Sequence, residues 1–408
     1  MHHQSSSARP LWLIVLCAGA IVGMGMGLRQ VMGLYLRPVT MDLGVGREPF
    51  SDALAVANLV FGFAAIVTGA VADRFGARRV VAFGALCTIA GLYAMGTAQS
   101  SSALMASGVL LGLGVSGTGV TALIGTVGRA APADRRTAAI ASLGMASGIG
   151  GFLAFPYAHV LIETLGWRSS LMVLAATGAA MLPLALSLRG AQALAIAGAP
   201  KPQTLREAFR EAFALPSFWL LVSGFFVCGF HVTFYATHLP AFVQDRGLGA
   251  WVGVWALMAV GISNIVGTWL AGQSSRYFEK RSVLTFIYLA RAVLFLAILY
   301  MPITGFSVVL ISALLGLFWL STIPLTSGLV ATFFGTHWMS MLFGFVFLSH
   351  QLGSFAGLWM AGRLFDMTHS YDAMWWISIA LALIAAALNW PIRERPVARM
   401  MAQAAAAE

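Results

Sequence analysis

Few residues in this chain are placed to do chemistry inside an apolar environment. Arg29 lies past the midpoint of an uninterrupted apolar run, Leu11 to Leu36. A guanidinium stays charged at every working pH and can hold a carboxylate by two parallel hydrogen bonds, so the chemistry it offers there is anion binding. His231, Tyr235 and His238 fall at i, i+4 and i+7 of another such run, which puts three polar rings in register on one helix face. His350 with Gln351, then Asn264 and Asn58, extend the polar set, while Tyr157 and His159 add weaker members. Imidazole titrates near neutrality, so His231, His238 and His350 are the possible proton carriers. Arg291 sits midway along its own run and reads as support for its neighbours. The bland readings stand beside these: a histidine in an apolar helix is often a satisfied packing residue, and Arg29 could bond only to helix carbonyls. All 14 acids fall in polar stretches or at the ends of apolar runs. A carboxylate relay through the interior and a cationic substrate both lose favour.

The elements that must position these residues follow from composition. The 408 residues are 59% hydrophobic and 9% charged, with a mean hydropathy of +0.86; a soluble domain is roughly 45–50% apolar and about 25% charged. Runs of about 20 apolar residues, enough to cross a bilayer, recur from Leu11 almost to the C-terminus. Cutting at charged, Gly and Pro breaks gives twelve spans: 11–36, 50–72, 80–98, 103–127, 138–162, 168–188, 216–241, 250–273, 282–301, 305–333, 340–362 and 373–391. The first is too long for a signal-peptide core and reads as a retained helix. Cys17, Cys87 and Cys228 are scattered through apolar runs, so neither a disulfide framework nor a zinc site is expected. Most of the 24 Lys and Arg fall on the side that holds both termini; Arg37, Arg47, Arg168, Arg246 and Arg363 fall on the other. By the positive-inside rule both termini are cytoplasmic. The net charge of +10 belongs to this bias, since no soluble basic domain is present to bind nucleic acid.

The chain also repeats. A polar stretch, 189–215, separates 1–188 from 216–408, and Thr204 with Glu207 forms a capping box ahead of a short amphipathic helix with Leu205, Ala208, Phe209, Ala212 and Phe213 on one stripe. "NLVFGFAAIVTGAVADRFGARR" from Asn58 is echoed by "NIVGTWLAGQSSRYFEKR" from Asn264. Such internal symmetry is typical of secondary transporters, which bind substrate where the repeats meet. The expected fold is an all-α membrane protein, twelve helices in two pseudo-symmetric six-helix bundles.

Within the repeat, "GAVADRFGARR" resembles the signature loop between the second and third helices of the major facilitator superfamily. Gly69, Asp73, Arg74, Gly76, Arg78 and Arg79 carry the match, and the second-half copy has Arg276 where Asp73 stands. The resemblance implies a gating motif that helps hold the cytoplasmic side closed, with Gly69 and Gly76 allowing close approach and a tight turn. It also implies that the first and seventh helices, bearing Arg29 and the His231 stripe, line a central cavity, with Gly25 and Gly33 leaving room beside Arg29 for a ligand. "GLRQVMGLYLRPVTMDLG" (27–44), "GFFVCGFHVTFYATHLPAF" (224–242) and "FLSHQLGSFAGLWMAGRLFD" (347–366) resemble the bacterial oxalate/formate antiporter and monocarboxylate porter branch. Relatives there carry small organic anions through cationic residues on the eighth and eleventh helices; here the eighth span has no basic residue and the eleventh offers His350. "GMASGIGGFLAFP" (144–156) resembles a Gly-rich fifth-helix motif of antiporters without its usual Gly-Pro, and reads as close helix packing.

The function expected is alternating-access transport of a small mono- or dicarboxylate, with Arg29, His231, Tyr235, His350, Gln351 and Asn264 at the substrate and a proton or counter-substrate as coupling partner. The setting is the bacterial inner membrane, as a monomer without cofactor, metal or nucleic acid. The 12% aromatic content favours efflux of amphipathic drugs as the alternative. No catalytic constellation, Walker A loop or charged filter ring supports an enzyme or a channel.

Overall fold

The computed structural model describes residues 10–131, 136–188, 204–335 and 338–405. Helix dominates, and no strand occurs among the described residues. Hydrocarbon offers the backbone no hydrogen-bond partner, so long apolar runs must satisfy their own N–H and C=O groups. In chain order the helices are α1 (Leu11–Gln30), α2 (Leu36–Leu43), α3 (Glu48–Phe75), α4 (Ala77–Gly96), α5 (Ser101–Thr118), α6 (Val120–Ala130), α7 (Arg136–Ala179) and α8 (Met181–Ala185). After 189–203, which lie outside the described residues, come α9 (Leu205–Phe213), α10 (Pro216–Asp245), α11 (Ala250–Ser274) and α12 (Lys280–Tyr300). The chain ends with α13 (Gly305–Leu317), α14 (Thr322–Phe334), α15 (Met339–Thr368), α16 (Asp372–Asn389) and α17 (Ala398–Ala405).

Among the described residues 11 segments are long and apolar enough to cross a membrane, and one of them, Ser142–Leu188, has 47 residues. A single crossing needs about 20. That segment bends at Gly166, whose φ of 73° suits a residue without Cβ, so it supplies two crossings and the expected twelve are reached. Two spans read as continuous from the sequence, 103–127 and 305–333, are interrupted. The fourth breaks at Gly119, whose extended backbone separates α5 from α6. The tenth breaks between Leu317 and Thr322. The interruptions occupy the same place in each six-span half.

Packing divides the chain into two compact units. One comprises described residues within 1–35 and 63–195. Its main seam joins α1 to α7: a Cβ on Gly23 would stand 2.8 Å from the Ala146 carbonyl oxygen, and one on Gly27 would stand 2.7 Å from that of Gly150. The Gly-rich stretch at 144–156 is therefore a helix-packing surface, as its sequence predicts. Gly25 belongs to the same dense region, because its Cβ would meet Thr118 Oγ1 at 2.5 Å. The expected space for a ligand beside Gly25 is filled by α5.

The second unit comprises 36–62 together with 196–408. The counterpart seam joins α10 to α15, where a Cβ on Gly357 would stand 2.7 Å from the Phe230 carbonyl oxygen. α9 caps itself as expected: Glu207 N–H donates to Thr204 Oγ1 at 3.4 Å, and Glu207 Oε2 accepts from Thr204 N–H at 2.8 Å. That backbone N–H holds the exposed Glu207 carboxyl below its ordinary range. Phe209 and Phe213 of α9 pack on Phe345, and Arg399 reaches Glu211 at 3.2 Å.

Candidate functional site

In the first unit, Arg29 occupies the last turn of α1, half-buried, just before a 3₁₀ turn at Val31–Tyr35 that includes Gly33. One turn earlier on the same helix, Gly25 touches Thr118 at the break of the fourth span. Interrupted helices at corresponding positions of two repeats mark binding regions in transporters, because unwound backbone leaves polar groups open to a ligand. Arg29 is thus about a turn from such a break. Tyr157 Oη pairs with Thr177 Oγ1 at 2.9 Å, and His159 pairs with Glu163 at 3.2 Å. Both are occupied locally.

In the second unit, Arg291 and Asn264 converge on the break of the tenth span. Arg291, 1% exposed, donates from Nε to the Phe318 carbonyl at 3.1 Å and from Nη2 to the carbonyls of Phe318 and Trp319. Those carbonyls lost their helical partners when the helix broke, so the guanidinium acts as their cap. Asn264 serves the same break from α11, its Oδ1 accepting the Leu320 N–H at 2.9 Å. Cys228 is more than the small hydrophobe its sequence context suggests. Its sulfur lies 3.6 Å from Arg291 Nη2 and 3.3 Å from Thr322 Oγ1.

The ring stripe on α10 is real, but each member faces a different helix. His231 donates from Nε2 to the Ser378 carbonyl of α16 at 2.9 Å, leaving Nδ1 buried without a hydrogen bond. Tyr235 Oη pairs with Ser312 Oγ of α13 at 2.7 Å. His238 contacts Tyr371 Oη at 2.8 Å and Ser51 Oγ at 3.3 Å. His350 lies flat against Phe347 and bonds through Nδ1 to Gln351 Oε1 at 3.2 Å. Gln351 Nε2 is buried and donates to nothing. Asn58 Nδ2 returns to the Leu54 carbonyl of its own helix at 2.8 Å.

A further polar cluster went unassigned from sequence. Arg47 is buried, donating from Nη1 to Tyr371 Oη at 2.6 Å and from Nη2 to Asp245 at 2.7 Å. Asp366 receives the backbone N–H groups of Arg47 and Glu48, both at 2.7 Å. Burial lifts the Tyr371 phenol above its ordinary range despite the pull of Arg47 beside it, so it remains a protonated donor. Arg47, Asp245 and Asp366 all stand at ends of apolar runs, a visible clue. Their pairing across some hundreds of residues is not readable from one sequence.

The gating motif lies at the junction of α3 and α4. Gly76 has φ 87° and makes the turn between them. Among the described residues no atom stands within 4 Å of a Cβ built on Gly69, so they show no close approach there. The Asp73 side chain lies outside the described atoms. Arg74 sits 5.3 Å from the Phe75 ring, and Arg78 and Arg79 open α4.

Residues 11–358 match the Major Facilitator Superfamily. An uncharacterized MFS-type transporter, YcxA, of Bacillus subtilis is 27% identical over 387 residues, covering 90% of this chain and 91% of its own. Human monocarboxylate transporter 11 is 26% identical over 389 residues, 91% of this chain and 80% of that protein. The oxalate:formate antiporter of Oxalobacter formigenes is 28% identical over 265 residues, 62% of this chain and 59% of the antiporter. Among solved structures, the nucleoside transporter NupG superposes with TM-score 0.77 over 93% of this chain and 99% of its own at 14% identity. Its helical architecture, its paired interruptions and these likenesses agree: the chain belongs to the Major Facilitator Superfamily and is an integral membrane transporter.

Proposed function

We propose that this transporter moves a small organic anion, a mono- or dicarboxylate, by alternating access between two halves, 1–188 and 216–408. Arg29 is the observation that carries the reading. It is a permanent cation on the first span, one turn from an interrupted helix, and the named relatives include a monocarboxylate transporter and an oxalate:formate antiporter. A planar guanidinium matches a carboxylate in a way that an ammonium does not. Gln351 is the second residue assigned to recognition, since a buried amide donor without an acceptor calls for an explanation and a carboxylate supplies one. His350 orients Gln351 through Oε1. His231, Tyr235 and Asn264 spend their groups on neighbouring helices, so their assigned role is to brace the walls. The gating motif from Gly69 to Arg79 closes the cytoplasmic side. The setting is a bacterial cytoplasmic membrane with both termini inside, a proton or counter-anion as coupling partner, and one chain as the working unit.

Counterflow in proteoliposomes with a panel of mono- and dicarboxylates tests this. Hydrogen bonds to a charged group contribute roughly 1.5–3 kcal/mol, so Arg29→Gln should weaken apparent affinity on the order of tenfold to a hundredfold, with Arg29→Lys recovering part of it. Protein yield is followed in parallel, because a purely structural arginine would fail through misfolding. A well-folded Arg29→Gln protein with wild-type carboxylate exchange removes the anion reading and moves amphipathic-solute efflux ahead of it.

A further inference from the structure

Residues 36–62 run from the end of the first span through the first half of the second, yet they pack in the same unit as 196–408. A set of polar contacts helps hold them there. Arg47 bonds Asp245 at the end of α10 and Tyr371 at the start of α16, and its guanidinium lies 3.7 Å over the Phe365 ring of α15. Asp366 caps the start of α3 through the N–H groups of Arg47 and Glu48. Glu48 pairs with Arg363 at 3.3 Å, and Arg37 donates to Gln244 at 3.1 Å. Close glycine packing lies beside them, a Cβ on Gly362 standing 2.8 Å from Glu48 Cα, and such packing has to be pulled apart. An ion-pair network is different in kind, because water can take over each bond as it opens.

The direction of the bonds through Arg47 is fixed by chemistry. Guanidinium has donors only, so Tyr371 Oη accepts from it and turns its own proton to His238 Nδ1. The ring then carries its proton on Nε2 and donates to Ser51 Oγ on α3. This chain of donors requires a neutral imidazole. A proton on Nδ1 would confront the phenolic hydrogen and set two cations on either side of one oxygen.

We infer that this network is a lock which opens and re-forms once in each transport cycle, with Arg47 as the residue that holds it and His238 as the member whose protonation releases it. Tyr371 and Ser51 contact His238 directly, and Arg47 stands behind Tyr371; Asp245 and Asp366 bind the same guanidinium or its backbone, and Glu48 and Asp52 share the first turns of α3 with Ser51. Arg47 is a positioning residue: it touches no substrate in this inference, and the inference is independent of which substrate is carried.

The experiment needs no substrate. Ala55 is fully buried one turn beyond Ser51 on α3, so Ala55→Cys reports whether α3 leaves its place. Its reaction with a cationic methanethiosulfonate reagent is followed in phosphatidylethanolamine/phosphatidylglycerol nanodiscs, against a parent that holds the three buried native cysteines. Removing one partner of a buried, hydrogen-bonded ion pair is costly, so Arg47→Gln should raise the rate at least about tenfold, with Arg47→Lys in between. Only the thiolate reacts, so each rate is divided by that of a free thiol with the same reagent at the same pH; so corrected, the Ala55→Cys rate should rise from about pH 7.5 to about pH 5.5, across the ordinary histidine range, and His238→Gln should lose that rise. Thermal melting of each variant separates a released lock from a misfolded chain, and a structural arginine alone would not move the pH profile. An unchanged rate in well-folded Arg47→Gln overturns the lock. Acid acceleration that persists in His238→Gln overturns the role of His238 and passes it to the carboxylates Glu48, Asp52 and Asp366.

Discussion

Arg291 and Arg29 are the same residue type in similar apolar runs, and only their neighbours separate a brace from the proposed binding group. Arg291 caps the carbonyls of Phe318 and Trp319, which the broken tenth span cannot satisfy. Arg291→Met keeps much of the stem's volume and removes the fork. Orphaned buried carbonyls cost about 1–3 kcal/mol each, so the variant should melt several degrees below wild type and give less monodisperse protein. Arg291→Lys should restore little, because a point charge cannot serve two successive carbonyls. Wild-type melting of Arg291→Met in detergent would contradict the bracing role. The residue types able to act at depth were legible in the sequence, whereas the carbonyls that Arg291 bonds were not. The partners of His231, Tyr235 and Asn264 were not, since register on one helix face says nothing about which helix stands opposite.

At the scale of elements, hydropathy made the twelve crossings legible, and Gly content identified α7 as a packing helix. The interruptions were not. A single glycine, Gly119, marks the first, and the second, Phe318 to Ser321, is an apolar sequence whose break is stabilised from outside by Arg291 and Asn264. Tertiary contacts there override local preference. The seams allow a sharp test. A Cβ on Gly150 would overlap the Gly23 backbone, whereas Gly144, two turns earlier on the same helix, has nothing within 4 Å. Overpacking a filled site costs typically about 1–3 kcal/mol, and more when backbone must move. Gly150→Leu should therefore lower the melting temperature and the folded yield severely, while Gly144→Ala should be neutral or slightly stabilising through helix propensity. Equal melting of the two variants by fluorescence-detected gel filtration would rule out α1 against α7 as a seam.

At the scale of the molecule, α3 runs from the proposed lock to the motif that resembles a family gate. Its 28 residues span about 42 Å at 1.5 Å per residue. The Glu48 end is bound into the Arg47 network, and Asp73 in the gating motif is two residues before the other end, Phe75. If the proposed lock and the motif each hold one end of this helix in one state, closing one is easiest when the other is open, and the cycle alternates. Resemblance assigns the motif to the state in which the cytoplasmic side is closed, and the network described above is closed in this structure. Asp73→Asn weakens the first without touching the second. The population should then shift toward the locked state, so Ala55→Cys should react more slowly, opposite in sign to Arg47→Gln, and the double variant should fall between them. A shift of this kind changes how often the carrier turns over and leaves the binding residues alone. Counterflow rates should fall while the ranking of carboxylates stays the same. Altered substrate ranking with turnover intact would place Asp73 in recognition, and an unmoved Ala55→Cys rate would uncouple the two ends of α3.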